Sequence, residues 1–175
     1  MKTPTLERVE TPRMVASRLT ENDLSDLLRL VRDPRVAATL SLTREPPSEA
    51  EVYAGLIEAI GHWELHAFGL WLLRDRSSGE LVGRGGLQHT WVTGRNEVEV
   101  AWAIVPALWG RGIATESARV SLDAAFGPLE LPEVIAYTRE DNLASRRVME
   151  KTNFTVERAF VTEGTEQVLY RRSHR

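Results

Sequence analysis

Cysteine is absent from the 175 residues. That excludes disulfides, thiolate metal sites and a cysteine nucleophile. Histidine is scarce: His62, His66, His89 and His174 are read as isolated positions, and on that ground no zinc or other metal site is expected. A charge excess of one sign is missing too. Lys and Arg number 22 against 25 Asp and Glu, a formal net charge of −3, which argues against a nucleic-acid partner despite the basic Arg171-Arg172 pair. No apolar run reaches the roughly 18 residues of a membrane-spanning helix, and no secretory segment heads the sequence. A cytoplasmic protein with no membrane partner is expected. Repeats, low-complexity tracts and long Pro/Ser linkers are also lacking, so residues 1–175 are expected to form one domain with a core of its own.

What is present alternates between strand and helix patterns. Arg13 to Leu19 reads as a strand. Thr20-Glu21-Asn22-Asp23 caps a helix with Leu24, Leu27, Leu28 and Val31 on its core face, and Asp33-Pro34 breaks it. Ser48-x-x-Glu51 starts a second helix, with Val52, Leu56, Ile60 and Trp63 along one side. Three strands follow, at Ala67 to Arg74, Leu81 to Leu87 and Asn96 to Val105, with turns at Asp75 to Gly79 and Thr93-Gly94. Gly83, Gly85 and Gly86 in the middle strand imply a bulge or the close passage of backbone or ligand. A helix from Ala114 to Phe126, ending at Gly127-Pro128, leads to a short strand, Val134 to Thr138, expected parallel to the one before it. A helix from Asn142 to Thr152 ends at Asn153, a residue that tolerates a left-handed conformation. Phe154 to Phe160 and Gln167 to Arg172 close the chain as a hairpin. The expectation is a mixed α/β domain with four helices.

The most informative stretch is Leu108-Trp109-Gly110-Arg111-Gly112-Ile113-Ala114-Thr115-Glu116, between a strand and a helix. Glycines let backbone approach a ligand, and the unpaired N–H groups of a helix's first turn, with its dipole, favour an anion such as phosphate. The spacing matches neither the P-loop, which ends Gly-Lys-Ser/Thr, nor the three-glycine dinucleotide fingerprint. The same glycines would also serve a plain tight turn.

These elements in this order resemble the GNAT superfamily of acyl-CoA-dependent N-acyltransferases. Four stretches are similar to its ribosomal-protein alanine N-acetyltransferase branch: Thr11 to Val15 with Arg18-Leu19-Thr20, Glu99 to Ile104, Trp109 to Glu116, and Asn142-x-x-Ser145 with Glu150 to Phe154. The resemblance implies a mostly antiparallel sheet whose one parallel pair splays around acetyl-CoA. It implies that Trp109, Gly110, Arg111, Gly112, Ile113, Ala114 and Thr115 form the coenzyme A pyrophosphate loop, with the N–H groups of Arg111 to Thr115 on the phosphates. Backbone groups of Ile104 and Val105 would pair with the pantetheine amides, and Asn142 would lie beside that arm. Arg146 or Arg147 would meet the adenosine 3′-phosphate. Glu99 matches the family's proton-accepting glutamate. Met149 stands where many members carry a thiol-protonating tyrosine, which leaves Ser145 as the matched hydroxyl. Ala101 and Asn153 replace usual glycines.

The chemistry so implied needs a neutral amine. An α-amino group with pKa about 7.7–8.0 is partly neutral at pH 7, whereas a lysine amine near 10.4 is almost wholly charged. Glu97 and Glu99 share a strand face, and Glu99 is the candidate base, directly or through water; the Ile104 N–H is the candidate oxyanion donor. Local readings stand beside these: a solvated strand-end carboxylate for Glu99, a first-turn hydroxyl pairing locally with the backbone for Ser145 and an N-cap for Asn142. His89 reads as acceptor-orienting or plain surface, Trp63 and Trp71 as core, Trp91 and Trp102 as pocket walls or core. The expected activity is acetyl transfer to a protein N-terminus or small-molecule amine. An acyl-CoA-binding module without turnover, or a phosphate-binding α/β enzyme of another kind, are the alternatives. Pro34 to Pro47 and Thr162 to Glu166 are expected to border the acceptor. An edge-strand homodimer is compatible with this architecture, though no residue demands it.

Overall fold

A computed structural model describes residues 6–174. One eight-stranded sheet runs through it, in the order β1-β2-β3-β4-β5-β6-β8-β7. The strands are β1 (Arg8–Glu10), β2 (Met14–Arg18), β3 (Leu70–Asp75), β4 (Leu81–Val92), β5 (Arg95–Ile104), β6 (Glu133–Arg139), β7 (Thr155–Thr162) and β8 (Thr165–Ser173). Every pairing is antiparallel except β5 with β6. Five α-helices cover the sheet among the described residues: α1 (Leu24–Val31), α2 (Pro34–Leu40), α3 (Glu49–His66), α4 (Ile113–Phe126) and α5 (Leu143–Lys151).

The helices α1, α2 and α3 bury Leu27, Leu30, Val36, Val52 and Leu56 against Leu70, Leu72 and Ala103 on one face. On the other face α4 buries Ala118, Leu122 and Ala125 against Trp71, Val82 and Val100, and Met149 of α5 joins them. Trp63 and Trp71 lie fully inside, whereas Trp91 is 78% exposed and belongs to no core. No described helix is long and apolar enough to cross a membrane.

Four local outcomes differ from the pattern read in the sequence. Asp33-Pro34 ends one helix and starts another: the Asp33 side chain accepts the Arg35 N–H at 2.9 Å, and Pro34 sits in the first turn, where its missing N–H costs nothing. The fifth helix therefore lies in a segment expected to be a loop. Ala67 is the left-handed cap of α3, with φ 59°, so β3 begins only at Leu70. Strand β4 continues past Leu87 to Val92, because Gln88 to Val92 keep pairing with β5 down to a turn at Thr93-Gly94. Strand β1 was not expected at all.

The glycines of β4 admit close neighbours. A Cβ at Gly83 would stand 2.1 Å from the Ala103 carbonyl oxygen, and one at Gly85 would stand 2.2 Å from the Ser117 hydroxyl of α4. Backbone and helix, not a ligand, occupy that space.

Candidate active site

Strands β5 and β6 share a single ladder position, Glu99 opposite Ile135. Beyond it they part, and a cavity of about 550 Å³ opens through the sheet. Val36, Leu40, Arg84 and Glu99 line it on the face of α1 to α3; Gly112, Ile113 and Ser145 line it on the face of α4 and α5. The Val105 N–H is bonded to the Val82 carbonyl at 2.9 Å, and the Val105 carbonyl accepts from Leu108. Backbone groups alternate direction along a strand, so Ile104 turns its N–H and carbonyl into the gap. Of the two residues expected to offer pairing groups there, Val105 is thus already spent. The Ile104 carbonyl accepts the Trp109 indole N–H at 2.8 Å, a bond that ties the start of the loop to the end of the strand.

After Trp109 the chain turns through Gly110 (φ 74°) and Gly112 (φ 75°), and Gly112 caps α4. Left-handed backbone at the cap suits glycine and turns successive N–H groups the same way. Among the described residues, no acceptor is bonded to the N–H of Gly110, Arg111, Gly112, Ile113, Ala114 or Thr115; the first α4 bond is from Glu116 to the Gly112 carbonyl. Cβ atoms at Gly110 and Gly112 would meet nothing closer than 3.7 Å. This is an open cradle of donors at a helix N-terminus, suited to a diphosphate. It is braced from outside: Arg13 donates to the Arg111 carbonyl at 2.8 Å and pairs with Glu116, which also accepts the Thr11 hydroxyl at 2.6 Å. That brace carries no signal in the sequence, because 98 residues separate Arg13 from Arg111 and only the fold brings them together.

Glu99 is 8% exposed, so it is not the solvated carboxylate of the local reading. Burial pushes its carboxyl up to about 7, against the pull of the Gln88 hydrogen bond and the Arg84 charge. Gln88 donates to Glu99 at 2.9 Å, from the facing position on β4. Tyr137 of β6 also lines the cavity, its hydroxyl 3.5 Å from that of Thr90; burial raises its pKa, and the Glu99 charge adds to this. Arg84, Gln88 and Tyr137 carried no motif. Period-2 alternation puts Arg84 and Gln88 on one face of β4, but only the strand order shows that this face meets Glu99.

At the start of α5 the local reading of Asn142 as an N-cap holds, whereas the Ser145 hydroxyl, expected to pair with nearby backbone, bonds the Asn142 side chain instead. Asn142 caps the helix by accepting the Ser145 N–H at 3.2 Å, and its amide donates to the Thr138 hydroxyl at 3.0 Å and the Ser145 hydroxyl at 3.1 Å. The Ser145 oxygen is thereby an acceptor, and its O–H is left to donate into the cavity. Arg146 is engaged by Tyr170 and the Glu140 carbonyl, whereas Arg147 lines the cavity. Trp102 and Trp109 line it as well. Of the two segments expected to border the acceptor, Thr39, Leu40 and Leu42 do line this cavity, whereas the Thr162 to Glu166 turn lines neither this cavity nor its neighbour.

His89 points away from the cavity, on the opposite face of β4 from Gln88. It meets His62 and His66, which are four residues apart on α3, with ring centroids 4.5 to 5.6 Å apart. Isolation of the histidines is thus not a ground for excluding a metal. Their nitrogens lie within 4.8 Å of one another, but both His62 nitrogens are already held, by the Phe68 carbonyl at 2.8 Å and the His89 N–H at 3.0 Å.

A family model described as acetyltransferase (GNAT) domain matches residues 13–155. The uncharacterized N-acetyltransferase YoaA of Bacillus subtilis (strain 168) is 25% identical over 150 residues, 85% of this chain and 83% of that protein. The FsC-acetyl coenzyme A-N(2)-transacetylase of Aspergillus fumigatus is 32% identical over 131 residues; these are 70% of this chain and 54% of that protein, so the match spans about half of the relative. A solved GNAT-family acetyltransferase from Bordetella pertussis superposes with a TM-score of 0.83 at 25% identity, covering 95% of this chain and 99% of that one.

Proposed function

The chain belongs to the GNAT acetyltransferase family, and from that premise we propose that it moves the acetyl group of acetyl-CoA directly onto a primary amine in a ternary complex. The observation that carries this reading is the run of unbonded N–H groups from Gly110 to Thr115 at one mouth of a cleft whose other side holds a buried carboxyl, pushed up to about 7. The first suits the diphosphate of coenzyme A. The second suits a base working near pH 7.

In this reading the thioester lies in the gap between β5 and β6. Its carbonyl oxygen gains charge as the C–N bond forms, and the Ile104 N–H donates to it. Glu99 accepts the amine proton, and Gln88 keeps the carboxylate aimed. As the C–S bond breaks, the thiolate takes up a proton from Ser145 or from water. A cysteine-like thiol with pKa about 8.5 leaves readily, so Met149 in place of a hydroxyl is tolerable. Arg147, on the cavity wall, would meet the 3′-phosphate, and Asn142 would support the site through Ser145.

The test is a thermal shift with acetyl-CoA followed by thiol release with a panel of amines. Ligand binding raises the melting temperature by mass action, and at least one α-amine is expected to release thiol. A shift with no release from any amine would favour the binding module; no shift at all would sink the assignment of the loop.

A further inference from the structure

Arg84 is a half-buried cation with no hydrogen-bond or ion-pair partner among the described residues. The other buried arginines are satisfied. Arg139 donates to Asp141 at 3.1 Å, the Ser41 carbonyl at 2.9 Å and the Ala38 carbonyl at 2.6 Å, and Arg171 is surrounded by three glutamates. The Arg84 guanidinium faces the cavity without a protein acceptor, and a cation so placed is completed by an anion that enters the cavity. Glu99 is within electrostatic reach, yet Gln88 supplies its hydrogen bond.

The position is as telling as the lack of a partner. Arg84 faces Ala103 in the ladder while Gln88 faces Glu99, so Arg84 lies four residues from Gln88 on one strand face, about 13 Å along the strand, a span the arginine side chain partly closes. Arg84 lines the main cavity and also a second one of about 460 Å³ under α1 and α3, and the two cavities share only Arg84 and Leu40. This is the face away from the Gly110 to Thr115 cradle, the side from which an amine would enter.

We infer that Arg84 binds a carboxylate carried by the acceptor, so that the substrate is a small amino-acid-like molecule with its amine at Glu99 and its acid group on the guanidinium. The planar fork of arginine matches a carboxylate with two parallel donors. An acceptor bearing both charges also fits a net-neutral pair of receptors, one acid and one base. This inference rests on the acetyl-transfer reading for where the amine goes, but not for the anion site itself.

The experiment compares amino acids with their primary amides, which keep the amine and lose the charge. With the native enzyme and acetyl-CoA, the acids are expected to have kcat/KM about 10- to 100-fold above the matched amides, the usual worth of a hydrogen bond to a charged group. In Arg84→Gln that ratio should fall to near one, and Arg84→Lys should recover part of it. Binding of the same amino acids to the native protein saturated with coenzyme A, read by calorimetry, reports on the anion site without turnover. Carboxylate-dependent binding that Arg84→Gln abolishes supports the site even where no amine releases thiol, an outcome that would instead overturn the acetyl-transfer reading. Turnover with acid and amide equal, or a preference for peptide N-termini that lack a nearby carboxylate, would overturn the assignment of Arg84. So would calorimetry showing no carboxylate binding.

Discussion

Two glutamates on one face of β5, two residues and about 7 Å apart, meet opposite fates. Glu97 accepts two hydrogen bonds from Arg171 of β8, at 2.9 and 3.2 Å, and this holds its carboxyl below the ordinary range. Glu99 has only the neutral amide of Gln88 and is pushed up to about 7. The difference is the splay. At Glu97 the Arg171 side chain reaches across from β8, where it also collects Glu133 and Glu157. At Glu99 the ladder to β6 ends, and the cation on that side, Arg84, does not reach into bonding distance. One end of the strand is locked; the other is left reactive.

The sharpest way to break the comparison is at its reactive end. Glu99→Gln keeps the hydrogen-bonding shape and removes the base, so kcat should fall about 10²- to 10⁴-fold. In the native enzyme kcat/KM should rise with pH through about 7 as the carboxyl ionises. That limb should vanish in the variant. Thiol release across pH 5.5 to 9 measures both, and an unchanged limb would assign it to another group.

At the locked end the effect is on stability. Arg171→Ala strands three carboxylates, one of them the largely buried Glu97, whose side chain is 15% exposed. Removing one partner of a fully buried pair costs about 3–5 kcal/mol. Partial solvent access should bring this to about 2–3 kcal/mol, read from the denaturant midpoint. Glu97→Gln should cost less, because Arg171 keeps two acids.

How much of this contrast was legible follows from what each residue depends on. Gly110, Gly112 and the Ser48–Glu51 capping box act within a turn of helix, so their spacing was enough, and the box forms as expected. Glu99 was identified through its neighbours in sequence. Its burial, and so its pKa, depends on Gln88 and Ala103 lying where strand order puts them. Arg171 could not be matched to Glu97 without the register of β6 on β8. Pro34 was read only as a breaker, because a proline that ends one helix and a proline that opens the next look alike in one dimension. The four-residue spacing of His62 and His66 is legible in one dimension, but the approach of His89 is not, because it depends on α3 ending beside β4.

A third effect compares the same glutamate with itself across pH. A carboxyl raised from 4.5 to about 7 leaves the folded protein holding a proton the unfolded chain has released. Its stabilising contribution is complete below about pH 4.5 and lost as pH rises through about 7. At 1.36 kcal/mol per unit the ceiling is roughly 3 kcal/mol, and water entering the cavity should bring it nearer 2. Glu99→Gln should therefore be more stable than the native protein at pH 8, by about 2 kcal/mol, with the gap closing towards pH 5. Denaturation at the two pH values decides it; equal gaps would mean that Glu99 stays solvated.

The smallest expected effect lies across the cleft. Ser145→Ala removes a hydroxyl already tied to Asn142, and a thiolate with pKa about 8.5 can depart without help. A loss of less than about tenfold in kcat is expected, smaller than for Glu99→Gln and without a change in the pH limb. Asn142→Ala should act mainly through folding, at about 1 kcal/mol for the lost cap. Should Ser145→Ala match Glu99→Gln in its loss of rate, proton delivery to sulfur would limit the reaction, and the asymmetry between the two sides of the cleft would reverse.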